Sequence, residues 1–443
     1  MSTSFEDEKR PLPDSDEMPS SGTTAEPPTG SPLPPEVPAL DAPDGGLVAW
    51  LQVLGTFIFI FDTWGLVNSY GSFQTIYEGD LLRANSPSAI AWIGSIQAFI
   101  LLLCGCFAGP LFDMGYFRSL EWIGSFLVVF GLMMTSISTK YYQILPAQGV
   151  CVGLGASCLF IPSLAVLTTY FKRRRAFAIG TAASGSGVGG VVFPAILRQL
   201  EPKIGFGWAT RIIGFIVFGT LFIAIAVMRR RPIPTTRRKL IQLSAWKETP
   251  YTVFTFGLTL GFMGTYIPFY YISSFAAQKT GASSELAFYF VPILNAASVF
   301  GRIFPNMVAD RLGAINTLTP CAFVCTALVF AWIAIGDVGG LATFAVLYGF
   351  FVGTFVSLAA PAVASLTDDL RVVGTRLGMS FACAGVGILV GNPIAGALID
   401  LETGEFVKMQ VFCGVIIAAS GVTMAFARVA KVGTKLGKGK MGV

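Results

Sequence analysis

The chain has no histidine among its 443 residues, and only 12% of its residues are charged. Without histidine, a Ser-His-Asp hydrolase, a histidine-ligated zinc or haem and a histidine proton relay are all excluded. The eight cysteines form no CxxC pair and lie in apolar segments, which is typical of small buried hydrophobic residues. The sequence has no Gly-Lys-Ser/Thr phosphate loop. We therefore predict neither an enzyme nor a metal or cofactor site.

Hydrophobic residues make up 53% of the chain, and its charged fraction is well below the roughly 25% of soluble domains. A bilayer core of about 30 Å is spanned by about 20 apolar residues in a helix. Twelve stretches meet this requirement: 47–72, 89–112, 118–138, 143–170, 176–198, 208–228, 250–275, 286–306, 315–335, 339–366, 373–398 and 407–428. The predicted fold is an all-α polytopic membrane protein with twelve transmembrane helices in two six-helix halves.

Composition divides the chain into five regions. We predict a disordered cytoplasmic tail over 1–45, six-helix halves over 46–228 and 250–429, a basic cytoplasmic hinge over 229–249, and a short basic tail over 430–443. The first region is rich in Pro, Ser, Asp and Glu, so it cannot bury enough apolar surface to offset chain entropy. The hinge begins Arg229-Arg230-Arg231 directly after a spanning segment, which favours a membrane flank over a nucleic-acid patch.

The basic residues predict the orientation. With both termini in the cytoplasm, 22 of the 30 Lys and Arg residues fall on the cytoplasmic face and seven on the other, while Arg302 lies within a helix. Positive charge concentrates on the cytoplasmic side of membrane proteins. We therefore expect both termini to be cytoplasmic.

A short motif occurs at equivalent places in the two halves. After the second helix the chain has Gly109, Asp113, Gly115 and Arg118, and after the eighth it has Asp310-Arg311-Leu312-Gly313. Each copy places an acid and then a glycine in a very short turn, where the acid can cap a neighbouring helix or pair with a base. This pattern resembles the gating loops of the major facilitator superfamily, and the resemblance extends over residues 44–430.

Two further stretches resemble the paired signatures of the monocarboxylate porter family, in its fungal branch. One is Asp44-Gly45-Gly46 with Trp50, before and at the start of the first helix. The other opens the fifth helix with Arg173 and Arg174, followed by a series of small residues that includes Gly180 and Gly185. Small residues let helices approach closely, so the series suits either static packing or a sliding interface. The eleventh helix repeats this glycine-rich texture.

Charged residues inside the membrane are costly and therefore informative. The resemblance implies that Arg302, inside the eighth helix, holds a substrate carboxylate, although snorkelling to the interface is the alternative. Asp62, in the middle of the first helix, is a candidate for proton coupling or for pairing with Arg302, and a structural hydrogen bond to Thr or Ser is an equal alternative. The chain departs from animal members of the family, which carry a lysine near Val67–Tyr70 and an aspartate where this chain has Ser298.

Polar and aromatic residues of the central helices complete the candidate site. Asn68, Tyr70, Tyr266, Tyr270 and Asn295 are predicted to bind substrate together with Arg302. Buried amides need hydrogen-bond partners, and a wide aromatic set would suit a ring-containing organic anion.

The expected function is secondary active transport of a small carboxylate-bearing solute by alternating access, with proton coupling left open. The alternatives are export of a larger secondary metabolite and a non-transporting nutrient sensor. The expected partners are the anionic solute, protons and membrane lipids, with no nucleic acid. The plasma membrane is the expected location, with a vacuolar or other organelle membrane as the alternative.

Overall fold

The fold was taken from a computed structural model, which describes residues 43–171, 174–231, 242–367, 373–400 and 404–432. Four predicted regions or residues lie outside this range: the N-terminal tail up to 42, Arg173, the middle of the hinge (232–241) and the end of the C-terminal tail. The side chain of Asp113 is likewise not described. The helices are α1 (Leu47–Leu81), α2 (Pro87–Asp113), α3 (Phe117–Ile137), α4 (Tyr141–Tyr170), α5 and α6 (together Arg175–Val227), α7 (Thr249–Lys279), α8 (Ser284–Leu312), α9 (Ala314–Trp332), α10 (Val338–Ser365), α11 (Val373–Ala397) and α12 (Val407–Val432).

Eleven helices of the described residues are long and apolar enough to cross a membrane. One of them, Arg175–Val227, has 53 residues and would be about 80 Å long if continuous, which is far more than one bilayer crossing. Gly205 interrupts it with φ 77° and ψ 161°, a conformation outside the helical region. The break separates α5 (175–204) from α6 (206–227), so the described residues supply twelve membrane-length helices. The predicted all-α class is confirmed.

We use the name basic face for the end of the bundle at which α1 begins. Several basic residues lie at this end: Arg118, Arg174, Arg175, the 229–231 run and Arg376. The other end is the opposite face. On the opposite face, three helices begin with a side-chain cap. Ser86, Ser283 and Asp337 accept hydrogen bonds from the backbone N–H groups of Ala89, Leu286 and Gly340. These caps satisfy donors that a helix start otherwise leaves unpaired.

The first helix of each half is interrupted at a comparable place. In α1 the regular helix ends at Asn68, resumes at Tyr70–Ile76 and finishes in a π-helical turn at Tyr77–Leu81. In α7 the helix ends at Thr265 and resumes at Ile267–Lys279, where Pro268 lacks a backbone donor. Interrupted helices are typical of transporter binding sites, because they expose backbone groups inside the protein.

Glycines let the two halves approach closely through α5 and α8. A Cβ atom at Gly180 would lie 2.4 Å from the Arg302 carbonyl oxygen, and one at Gly190 would lie 2.3 Å from the Asn295 side chain. Helix α5 also packs against α1, since a Cβ at Gly185 would lie 2.2 Å from the Phe57 carbonyl oxygen. The small residues of α5 therefore serve two neighbouring helices on two of its sides.

The packing of α8 on α10 yields a stability prediction. A Cβ at Gly301 would lie 1.8 Å from the Phe350 carbonyl oxygen, so we expect Gly301→Ala to push these helices apart. Overpacking of this kind costs about 1–3 kcal/mol. Heating the purified protein in detergent and measuring the monodisperse fraction should show a lower midpoint than for the wild type.

Gly219→Ala is the matched control, because no atom lies within 4 Å of a Cβ at Gly219 and alanine favours the helix by up to about 1 kcal/mol. We expect its midpoint to equal or exceed that of the wild type. Equal midpoints for Gly301→Ala and Gly219→Ala would contradict the close contact of α8 with α10.

Candidate functional site

A cavity lies between the two six-helix halves. Residues of α1, α4 and α5 line it from one half and residues of α7, α8, α10 and α11 line it from the other: Ile60, Trp64, Phe160, Leu164, Ile179, Ala183, Ser186, Phe262, Tyr266, Arg302, Val356, Ser357, Ala360 and Phe381.

The cavity is displaced towards the basic face. Its lining comes from the first halves of α5 and α11, from the last halves of α4, α8 and α10, and from the middle of α1 and α7. Helices enter and leave the membrane alternately, so the segments of α4, α5, α8, α10 and α11 lie on the side of the bundle at which α1 begins, and α1 and α7 contribute from the middle. A solute bound here is nearer to the basic face than to the opposite face.

Aromatic rings form much of the wall. The Trp64 ring packs edge-on to Phe160 at 5.6 Å between centroids and lies 5.9 Å from the Tyr266 ring. Phe262 continues the wall, 6.0 Å from Tyr266 and 6.5 Å from Phe381. Aromatic pairs at 4.5–7 Å are favourable beyond the area that they bury, and their faces accept other rings. The wall therefore suits a ligand that contains rings.

Arg302 supplies the cavity's positive charge. Its side chain is only 2% exposed, and one guanidinium nitrogen donates a hydrogen bond to Ser298 Oγ at 2.5 Å. The same Nη1 atom would be 2.9 Å from a Cβ at Gly187, so the missing side chain of Gly187 leaves room for it. No carboxylate of the described residues forms an ion pair with it. A buried guanidinium without a counter-ion is suited to bind an anion.

On the side of the opposite face, four residues that we call the closing layer join the halves: Asn68, Tyr70, Tyr270 and Asn295. The Tyr70 and Tyr270 rings lie 5.0 Å apart. Asn295 Nδ2 donates to the Asn68 carbonyl oxygen at 3.4 Å, and Asn68 Nδ2 donates to the Ser186 carbonyl oxygen at 3.3 Å. All four side chains are at most 1% exposed. The layer fills the interface between the cavity and the opposite face.

Asp62 is fully buried but does not line the cavity. Both of its carboxylate oxygens lie 2.9 Å from the Thr220 hydroxyl on α6. The Asp62 side chain is thus directed away from Ile60 and Trp64, whose side chains line the cavity from the same helix. The structure shows the hydrogen bond to a threonine, and it does not bring Asp62 and Arg302 together.

The two copies of the short motif are used differently. In the first copy, Gly115 has φ 102°, which glycine adopts without strain, and Arg118 donates to the carbonyl oxygens of Ile225 and Met228 at the end of α6. In the second copy, the Asp310 carboxylate faces the backbone N–H groups of Ala176 and Phe177, in the first turn of α5. Asp310 therefore lies at the N-terminus of a helix of the other half, where a carboxylate is electrostatically favourable.

The two predicted signatures contact each other. The Asp44 backbone N–H donates to the Tyr170 carbonyl oxygen at 3.0 Å, and Trp50 packs on Phe171 and Phe177 at 5.5 and 6.0 Å between ring centroids. The start of α1 is thereby fixed to the junction of α4 and α5. The Asp44–Trp50 stretch and the start of α5, which are far apart in the sequence, therefore pack together on the basic face.

Of the six residues predicted to bind substrate, Arg302 and Tyr266 line the cavity, and the other four form the closing layer. The prediction missed most of the lining, including Trp64, Phe160, Phe262 and Phe381. The i, i+4 spacing of Ile60 with Trp64 and of Phe262 with Tyr266 places each pair on one helix face, but lipid-facing aromatic pairs have the same spacing, so the spacing alone does not mark the cavity. The prediction also missed Arg376, which binds Glu248 through two contacts at 2.5 and 2.7 Å at the basic face.

Comparison with known proteins assigns this architecture to a family. The family described as the Major Facilitator Superfamily matches residues 52–370. The chain is 45% identical over 406 residues to the MFS-type transporter dbaD of Emericella nidulans, covering 91% of this chain and 90% of the relative. It is 38% identical over 409 residues to the aspyridones efflux protein apdF of the same organism, covering 92% and 82%. It is 40% identical over 411 residues to the MFS transporter asaE of Aspergillus flavus, covering 92% of each chain.

Proposed function

The chain belongs to the Major Facilitator Superfamily and is a multi-pass membrane transporter, and we propose that it exports a ring-containing organic metabolite by alternating access. The observation that carries the proposal is the cavity between the halves, with its aromatic wall and the buried Arg302. Aromatic faces bind rings and the guanidinium binds an anionic group. A lactate-sized monocarboxylate has no ring for this aromatic wall to pack on.

The relatives support export over uptake and over a non-transporting sensor. They are named transporters, and one of them is named an efflux protein for aspyridones. The motifs that resemble the monocarboxylate porters lie at the basic face, where Asp44 and Trp50 meet the start of α5. We therefore assign these motifs to the gating machinery that such families share, while the cavity lining determines the solute.

We further propose that the basic face is cytoplasmic, that the membrane is the plasma membrane, and that the halves 46–228 and 250–429 rock about the α5–α8 contact. The distribution of positive charge supports the orientation.

Asp62 is our candidate for proton coupling. A carboxyl enclosed among helices with a neutral hydroxyl as its partner can exchange a proton without breaking an ion pair. We expect Asp62→Asn to keep a measurable rate of export but to lose its dependence on external pH. The measurement is the initial export rate at each pH, with Thr326→Val as a control whose hydroxyl bonds only within its own helix. A wild-type pH profile for Asp62→Asn would remove Asp62 from the coupling role.

The proposed function is tested by comparing small molecules inside cells and in the medium by mass spectrometry. A strain without the gene is compared with one that overproduces the protein. We expect a ring-containing compound to accumulate inside the first and to appear in the medium of the second. A compound left unconsumed in the medium of the deletion strain would indicate import, and identical profiles would contradict transport of any metabolite under those conditions.

A further inference from the structure

Three polar atoms on cavity-lining side chains are buried and have no hydrogen-bond partner among the described residues: Trp64 Nε1, Tyr266 OH and Arg302 Nε. Their side chains are 5%, 1% and 2% exposed. More than about nine in ten buried polar groups in proteins have a hydrogen-bond partner, so three unsatisfied groups around one cavity require an explanation. A bound ligand that supplies their partners is the simplest one.

The chemistry of these atoms defines what the ligand must offer. An indole nitrogen and a guanidinium can only donate hydrogen bonds, and a phenol can donate one. The two serines of the lining already donate to backbone, Ser186 to Ala183 and Ser357 to Thr354. None of the described lining residues is acidic. The strong unused groups of the cavity are therefore donors, which match acceptors on a ligand.

Orphaned acceptors exist nearby, but they lie outside the lining. Asn68 Oδ1 and Asn295 Oδ1 belong to the closing layer, and Asn306 Oδ1 lies one helical turn beyond Arg302. The unpartnered groups that line the cavity can all donate, and unpartnered donors such as Tyr270 OH also occur in the closing layer. The donors also come from both halves, Trp64 from α1 and Tyr266 from α7, with ring centroids 5.9 Å apart.

We propose that the cavity selects ring-containing organic anions that carry a second hydrogen-bond acceptor, such as a ring-conjugated carbonyl. Arg302 binds the anionic group, the aromatic wall packs on the ring, and Trp64 and Tyr266 donate to the second acceptor. This inference rests on the proposed export function and specifies its substrate class. A ligand bound in this way contacts both halves, so its second acceptor contributes to specificity as well as to affinity.

The test uses two ligands of nearly equal shape, 6-acetyl-2-naphthoate and 6-isopropenyl-2-naphthoate, which differ in the carbonyl oxygen. Equilibrium dialysis with the purified full chain in nanodiscs gives the Kd of each. The wild type should prefer the acetyl compound by about three- to tenfold, the range that a neutral hydrogen bond supplies. Tyr266→Phe, which keeps the phenyl ring and deletes the donor, should reduce this preference, and so should Trp64→Phe, which deletes the donor and also replaces the indole with a smaller ring.

Trp332→Phe is the matched control. In the described part of the chain Trp332 Nε1 is also buried without a partner, but the Trp332 ring on α9 stacks on Phe344 of α10 and does not line the cavity. We expect this variant to keep the wild-type preference. Equal binding of the two naphthoates by the wild type, no binding of either, or an equal loss of preference in Trp332→Phe would overturn the inference.

The outcomes separate this inference from the proposed function. A chain that exports a metabolite in the cell comparison but binds both naphthoates equally refutes the substrate class alone. A chain that prefers the acetyl compound but changes no metabolite distribution refutes export alone.

Discussion

Arg302→Gln is expected to lower the rate of export by about 10- to 150-fold while leaving the protein folded. Hydrogen bonds to a charged group contribute about 1.5–3 kcal/mol, and each 1.4 kcal/mol corresponds to a factor of ten. Glutamine can still bond Ser298, and it removes a buried charge that has no carboxylate partner among the described residues. The measurement is the initial rate of efflux, from loaded cells, of the compound that the metabolite comparison identifies.

Two further variants test the reason for this loss. Arg302→Lys keeps the charge but loses the planar fork that binds carboxylates through two hydrogen bonds, so we expect an intermediate rate. Lys408→Gln removes one positive charge from an exposed residue, paired with Glu405 at 3.8 Å, and should keep the wild-type rate. Wild-type kinetics for Arg302→Gln at every concentration would show that the guanidinium does not bind the solute.

Cross-linking the closing layer is expected to stop export almost completely. Tyr70 and Tyr270 belong to different halves, and their rings lie 5.0 Å apart. A solute in the cavity can leave by the opposite face only if this layer separates. Treating a Tyr70→Cys/Tyr270→Cys protein with a short bifunctional thiosulfonate should abolish efflux, and reduction should restore it.

Cross-links elsewhere distinguish arrest of gating from general damage. A Tyr271→Cys/Asn392→Cys pair lies within one half, where Tyr271 OH donates to the Asn392 carbonyl oxygen at 3.0 Å. Its cross-link should leave most of the efflux intact, and so should the same reagent on the eight native cysteines. Full efflux by the cross-linked Tyr70→Cys/Tyr270→Cys protein would mean that this interface does not open during transport.

The helix number and the family motifs could be predicted from the sequence, because they depend on local composition and short spacing. Helix ends were less predictable. The charged residues Arg198 and Lys203 indicate a loop between the fifth and sixth predicted spans. In the structure the helix continues through both residues to Gly205. The first helix likewise extends to Leu81, beyond the predicted end at residue 72. Helices can project past the apolar core, so hydropathy marks the bilayer crossing and not the helix end.

The cavity itself could not be predicted, for a physical reason. In a soluble helix the apolar face points inward, whereas lipid-facing and buried faces of a membrane helix are both apolar. The i, i+4 pairs of the lining are therefore no more apolar than Phe126 and Phe130, which stack on the exposed side of α3. Arg302 stood out because a charge cannot face lipid cheaply, and it does line the cavity.

Asp62 illustrates the limit of the same argument. Its charge also excluded a lipid-facing position, and it is fully buried. Its direction around α1 depended on a single partner, Thr220, which lies 158 residues further along the chain. A pairing of that kind is decided by tertiary packing.

By the proposed function, this chain alone moves an organic anion through the cavity beside Arg302. The most direct test is counterflow of the compound identified in cells, in liposomes that contain only the purified protein. We predict rapid exchange of labelled for unlabelled compound with the wild type and little exchange with Arg302→Gln. No exchange by the wild type, or equal exchange by the two proteins, would contradict transport of the anion through this cavity.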